Sequence, residues 1–449
     1  MLPAQGLQLL QTHLDLDLTL DYETGTLQGV VGFTLRNTSS EPIQCIPMQV
    51  GRLMQVKSVR SAEDQPLSFT QDIITYEDCP QFQVNQFFIE PIAPILPAND
   101  ISFSVAYSGF LVGYTEVGWR YVRDHIDPAF TILREDALAF PRVDLPSMAL
   151  HKAAPREDFT FSAQITVPAE LTVATGLEES ERIEHQGRVT WVFKSREPVP
   201  FLNIAIAPYQ VLVGQGVRVF HFTNHASGAQ RLLGAIHRTL ALYAEWFGPI
   251  GKGLHLHLIE IPEGWGSQAS KTGGIILTAD SFEGAGSLIG IYHELAHLCH
   301  PEDLDRPAPR WSEGLATFLQ YRVAEELEEE ESLGPQMDRL VGSLAEELQQ
   351  QQAPLSVPMV EYGSHRLTDF SYPVGCLMFW ALFKALGKSE FDTLLGGYFS
   401  TYRESGSTTA QFVDCLRTHS RVDLQPLFDE WLYTTRWADR LVSGERLLI

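Results

Sequence analysis

Alternation of apolar and polar residues dominates the first half of the chain. His13–Leu20 reads H-L-D-L-D-L-T-L, a period of two that predicts a half-exposed strand. Tyr22-Glu23-Thr24-Gly25 supplies a turn, and Leu27–Arg36 returns as a second strand. Further strand-like runs follow at Met54–Val59, Phe87–Ile89, Ile101–Tyr107, Phe159–Val167, Arg188–Phe193 and Phe201–Val213, separated by turn clusters such as Asn37-Thr38-Ser39-Ser40. No helix-length period interrupts them, so residues 1–212 are expected to form one large all-β domain.

The period changes near residue 213, and residues 213–449 are expected to form a second domain. Gly228–Phe247 places Leu232, Leu233, Ile236, Leu240, Tyr243 and Trp246 at helical spacing and closes at Gly248-Pro249. Leu254–Ile261 alternates as a strand. A glycine-rich stretch from Gly264 to Ser270 leads through Gly273-Gly274 to another strand, Ile275–Thr278. Helical patterns then dominate to about residue 440, including one near Ser312–Glu330.

Composition narrows the class. A chain of 449 residues with 44% hydrophobic content can bury a sizeable core over more than one domain. No run of 18 apolar residues occurs, so no transmembrane helix is expected. The opening residues lack a basic n-region and a clean apolar core, so no signal peptide is expected. Cys45, Cys79, Cys299, Cys376 and Cys415 are scattered, odd in number and free of any C-x-x-C pair, which reads as a reduced, cytoplasmic protein. A formal net charge of -24 argues against nucleic acid or an anionic membrane as partner.

The chemistry concentrates in Ile291–His300, I-Y-H-E-L-A-H-L-C-H. Residues i and i+4 of a helix share a face, so His293 and His297 point the same way, as two imidazole ligands of a zinc ion must. Glu294 lies about 100° round the helix from His293, placed to take a proton from water without ligating the metal. Leu288, Ile289, Ile291, Tyr292, Leu295, Ala296 and Leu298 give the helix an apolar body, and Pro301 is expected to end it. Cys299 lies two residues from His297 and so on a different face, and His300 reads as a helix-end histidine.

A third ligand is needed, with a fourth position left open. Glu313, in W-S-E-G-L-A-T-F, is the best candidate. Fifteen residues (298–312) separate it from His297, and Pro301, Pro307 and Pro309 can turn the chain so that the next helix lies beside the first. Ser312 is expected to cap that helix. Glu302, Asp303 and Asp305 compete on spacing alone, from within the connecting loop.

H-E-L-A-H followed by W-S-E-G-L-A-T-F resembles the membrane alanyl aminopeptidase family, gluzincin relatives of thermolysin that also include leukotriene hydrolase. The resemblance extends through L-D-Y-E-T-G-T-L-Q-G, A-F-P-R-V-D-L-P-S, F-L-N-I-A-I-A-P-Y-Q and L-F-D-E-W-L-Y-T. The spacing from His297 to Glu313 is shorter than the family's usual one. The resemblance implies an α+β multidomain chain: an N-terminal all-β, saddle-like domain, then a thermolysin-like, mainly α catalytic domain with a small mixed sheet. It also implies a short form lacking the family's C-terminal helical domain, and one Zn2+ per chain.

The run F-S-Y-P-V-G-C-L-M-F-W-A-L-F-K-A-L-G resembles the family's helix bearing the catalytic tyrosine, which maps to Tyr372. Pro373 at the helix start and Gly387 past its end frame that helix, placing the hydroxyl near a positive helix end suited to an oxyanion. The family's G-A-M-E-N segment, whose Glu anchors a free α-amine, corresponds to Gly266-Ser267-Gln268-Ala269-Ser270, which holds no acid. Glu263, or Glu135 of the β-domain, is the candidate replacement, and the Gly273-Gly274 backbone is expected to pair with a peptide as an added strand. The expected activity is zinc-dependent peptide hydrolysis, as an aminopeptidase on peptide N-termini. The alternatives are a peptidase without free-amine recognition and a non-catalytic binding module.

Overall fold

The computed structural model describes residues 8–112, 125–135, 137–148, 158–199, 201–250, 255–262, 268–269, 274–283, 286–327, 332–445 and 447. They belong to two compact units, Met1–Ala229 with His255–Gly284, and Gln230–Leu254 with Ala285–Ile449. The architecture is an all-β N-terminal region followed by a mainly helical one.

In the first unit, the alternating stretch becomes the strand Leu9–Asp21, whose leucines 14, 16, 18 and 20 are buried while its aspartates are exposed or half-exposed. It pairs antiparallel with Thr26–Asn37 on one side and parallel with Thr160–Pro168 on the other. The parallel partner lies far along the chain, which no local pattern announces. The full sheet has seven strands, ordered Glu179–His185, Arg188–Lys194, Thr160–Pro168, Leu9–Asp21, Thr26–Asn37, Asp100–Gly109 and Met54–Ser61. Sheets of four and three strands complete the β region, and their inward faces share one large apolar core.

The run Phe201–Val213 does not form one strand. It breaks into Asn203–Ala207 and Gln210–Gly214, which belong to different sheets. Pro208 stands at the break, with no N–H for a ladder and a fixed φ. The boundary at 212/213 therefore falls inside a strand. Gln210–Gly214 opens a five-stranded mixed sheet, ordered Gln210–Gly214, Val217–His221, Leu256–Ile261, Gly274–Thr278 and Gln268–Ala269. Its three central strands are parallel.

The second unit is built from α1 (Ala226–Phe247, from residue 230 onward), α2 (Ile289–His297), α3 (Trp311–Glu326), α4 (Leu333–Gln350), α5 (Ser371–Leu386), α6 (Lys388–Tyr402), α7 (Thr409–His419), α8 (Gln425–Trp431) and α9 (Arg436–Ser443). Helix α3 is its centre, with most of its residues buried. It packs on α2 and α5, and Gly314 meets Gly375 where α3 and α5 cross. The buried Arg322 pairs through both terminal nitrogens with Asp392 (2.5 and 2.8 Å) and lies over the Trp246 ring at 3.8 Å. Such a pair satisfies a charge that would otherwise be costly to bury. No single helix among the described residues is long and apolar enough to cross a membrane.

Candidate metal centre and active site

Three elements of the second unit bring the candidate residues together. Helix α2 presents His293 and His297 on one face, held against α1 by the Tyr243 hydroxyl, which donates to the Tyr292 carbonyl (3.0 Å). The helix ends at His297, ahead of Pro301. The Leu298 and Cys299 N–H groups turn back to the Leu295 and Ala296 carbonyls (3.2 and 3.0 Å), and this tightening closes the helix before the proline is reached.

Helix α3 begins at Trp311. Ser312 is thus its second residue and makes no cap; the cap position belongs to Arg310, in the left-handed region at φ 59°. This places Glu313 in the first turn of α3, aimed at the imidazole pair. Its Oε2 lies 3.3 Å from His293 Nε2 and 3.2 Å from His297 Nε2, and the two Nε2 atoms are 3.2 Å apart. One ligand atom from each residue falls within 4.8 Å of the others, the only such group of three among the described residues. The loop acids serve elsewhere: Asp305 accepts from the Thr409 N–H (2.8 Å), and Asp303 from the Asp305 N–H (2.9 Å). Cys299 is buried, with its thiol pushed up to about 12 by desolvation and bonded to the Leu295 carbonyl, so it supplies no thiolate.

The donor set fits a divalent cation. Two imidazoles and one carboxylate converge in a nearly buried pocket, with side-chain exposures of 12, 19 and 9% for His293, His297 and Glu313. Burial alone pushes the Glu313 carboxyl up, but the adjoining His293, His297 and Arg310 outweigh it and hold the group well below the ordinary carboxylate range. Burial opposes charge on His297, yet the adjoining Glu313 and Glu294 carboxylates outweigh it and raise that imidazole. A bound cation would take the place of the imidazole charge beside Glu313 and would require His297 in its neutral form. Glu294 is also buried, and its charge is felt by both His297 and Tyr372.

Tyr372 is the second residue of α5, and Pro373 therefore sits third rather than first. The phenol ring stacks on His293 (centroids 5.9 Å apart, planes at 11°). Burial, then the Glu313 charge, raises its pKa, so it is a neutral hydrogen-bond donor at physiological pH.

Two neighbours of the site, Arg310 and Gln320, were not singled out by sequence, and a third, His300, reads there only as a helix-end histidine. Arg310 grips the second oxygen of Glu313 and lies 5.9 Å from the Tyr372 ring centre. Gln320 accepts from His293 Nδ1 at 3.0 Å, and His300 contacts His297 Nδ1 at 2.9 Å. The helical spacing carried a signal: Arg310 and Gln320 are three residues before and seven after Glu313, so all lie near one face.

The remaining candidates belong to the first unit. Gly274–Thr278 pairs with Leu256–Ile261 on one side and with Gln268–Ala269 on the other, which makes Gln268–Ala269 the outer strand. Glu135 follows the strand Thr131–Arg134, and its carbonyl accepts from the Leu138 N–H (3.0 Å). Glu263, Gly266 and Gly273 lie outside the described residues.

No family model matches the sequence, and no curated protein matches it. Solved structures do. An M1 zinc metallopeptidase mutant from Deinococcus radiodurans, bound to a Tyr-Ser-Ala substrate, is similar with a TM-score of 0.68 at 18% identity, covering 96% of this chain and 95% of that one. A two-domain M1 zinc metallopeptidase mutant bound to L-tryptophan gives 0.68 at 19%, covering 94% of both chains. Yeast LTA4 hydrolase gives 0.68 at 16%, covering 95% of this chain and 68% of that one. The chain has the two-domain fold of the M1 zinc metallopeptidases.

Proposed function

We propose that this protein is a zinc-dependent metallopeptidase that hydrolyses peptide bonds, with His293, His297 and Glu313 as the metal ligands. The observation that carries this reading is the convergence of their three donor atoms within 4.8 Å, beside a buried Glu294 and the Tyr372 ring. Zinc held there would supply Lewis acidity toward the scissile carbonyl and the attacking water. Glu294 takes the proton of that water and delivers it to the leaving amine, which lets one carboxylate serve both halves of the reaction. The Tyr372 hydroxyl, kept protonated by its surroundings, donates to the oxyanion as it develops. Arg310 balances the Glu313 charge from the side away from the imidazoles.

The tripeptide substrate bound in one similar structure and the L-tryptophan bound in another support action on peptide N-termini. The absence of an acid in Gly266–Ser270 favours a second reading, a peptidase without free-amine recognition. Metal analysis and one variant test the central claim. The chain purified without chelator should hold one zinc, and Glu294→Gln should keep it while losing on the order of 10²–10⁴ in turnover. Full activity in that variant removes the general-base role. A peptide compared with its N-acetylated form separates the two readings: equal rates exclude amine recognition.

A further inference from the structure

We propose that His300 is a positioning residue that dictates which nitrogen of His297 carries the hydrogen, and thereby presents the Nε2 lone pair to the cation. The inference rests on the metal-site reading above. His300 Nδ1 lies 2.8 Å from the Pro301 carbonyl oxygen. A carbonyl only accepts, so the hydrogen of this bond sits on Nδ1. A neutral imidazole has one N–H, so His300 Nε2 is an acceptor. Its 2.9 Å contact with His297 Nδ1 therefore requires His297 to donate from Nδ1. In the neutral His297 that a cation requires, this leaves Nε2 without a hydrogen, at the position where it faces His293 Nε2 and Glu313 Oε2. Ligation needs this arrangement.

His293 receives the same treatment by different means, since the Gln320 carbonyl oxygen accepts from its Nδ1. The two ligands thus differ in what holds them: one leans on an amide on α3, the other on a histidine fixed by its own backbone. His300 stands three residues after His297, just past the end of α2, and lies edge-on to it (centroids 5.2 Å apart, planes at 76°).

The test is the zinc affinity of the full chain, measured by competition with a chromogenic chelator, for the wild type, His300→Leu and His300→Gln. Leucine removes the acceptor, and affinity should fall about 10–100-fold. Glutamine restores a carbonyl oxygen, and most of the loss should be recovered. Long-range ¹H–¹⁵N imidazole spectra of the zinc-loaded wild type need no variant to fold, and should show the hydrogen on Nδ1 of both His297 and His300. An unchanged affinity in His300→Leu, or a hydrogen on His300 Nε2, overturns the proposal. A wild-type chain that takes up no stoichiometric zinc overturns the metal-site reading itself, and this inference with it.

Discussion

Replacing Gly314 with alanine probes the contact that sets α3 against α5. A Cβ at this position would meet Gly375 Cα at 2.3 Å, Gly375 C at 2.4 Å and Cys376 N at 2.7 Å, where ordinary contact begins at 3.4 Å. All three obstacles are backbone atoms, so no rotamer change relieves the clash and the helices must part locally by roughly 1 Å. Overpacking of this kind costs about 1–3 kcal/mol, toward the upper end where backbone must move. Alanine's helix preference offsets about 1 kcal/mol, for a net loss of about 2 kcal/mol. Glu313 stands one residue before Gly314, and Tyr372 three before Gly375. Parting the helices therefore separates the proposed ligand from the proposed oxyanion donor, and a displacement near 1 Å should lower turnover on the order of 10²-fold. Urea denaturation and peptide turnover measure the two effects. Gly342→Ala, in α4 with nothing within 4 Å of the added Cβ, is the control and should stabilise by about 1 kcal/mol. A Gly314→Ala chain with wild-type stability and turnover would refute the reasoning.

Tyr372→Phe should leave zinc content and KM nearly unchanged while kcat falls on the order of 10²–10³-fold, read from steady-state peptide hydrolysis. His257, in the five-stranded sheet, supplies a pH-dependent prediction outside the active site. Burial, with the charges of Arg218 and His255, lowers it from 6.5 to about 4, and its Nδ1 has no hydrogen-bond partner among the described residues. Its folded value lies below its unfolded one, so its contribution is full above pH 6.5 and is lost as pH falls toward 4, a change of about 3 kcal/mol. Urea midpoints between pH 4 and 7 should show this slope, and His257→Leu should flatten it.

The sequence alone determined what short-range periodicity and spacing encode. Strict alternation at His13–Leu20 specifies a strand with one buried face, because side chains of a strand alternate sides whatever lies beyond it. The four-residue interval between His293 and His297 specifies a shared face for the same kind of reason. Tertiary structure decided everything that depends on residues distant in sequence. Leu9–Asp21 lies parallel to Thr160–Pro168, a pairing no local pattern announces. Phe201–Val213 divides between two sheets, although its hydrophobicity reads as continuous. The hydrogen-bond partners of the imidazoles, Gln320 and His300, depend on how α3 packs and on how the chain runs beyond α2. A ring nitrogen responds to the single atom 3 Å away, and only the folded chain determines which atom that is.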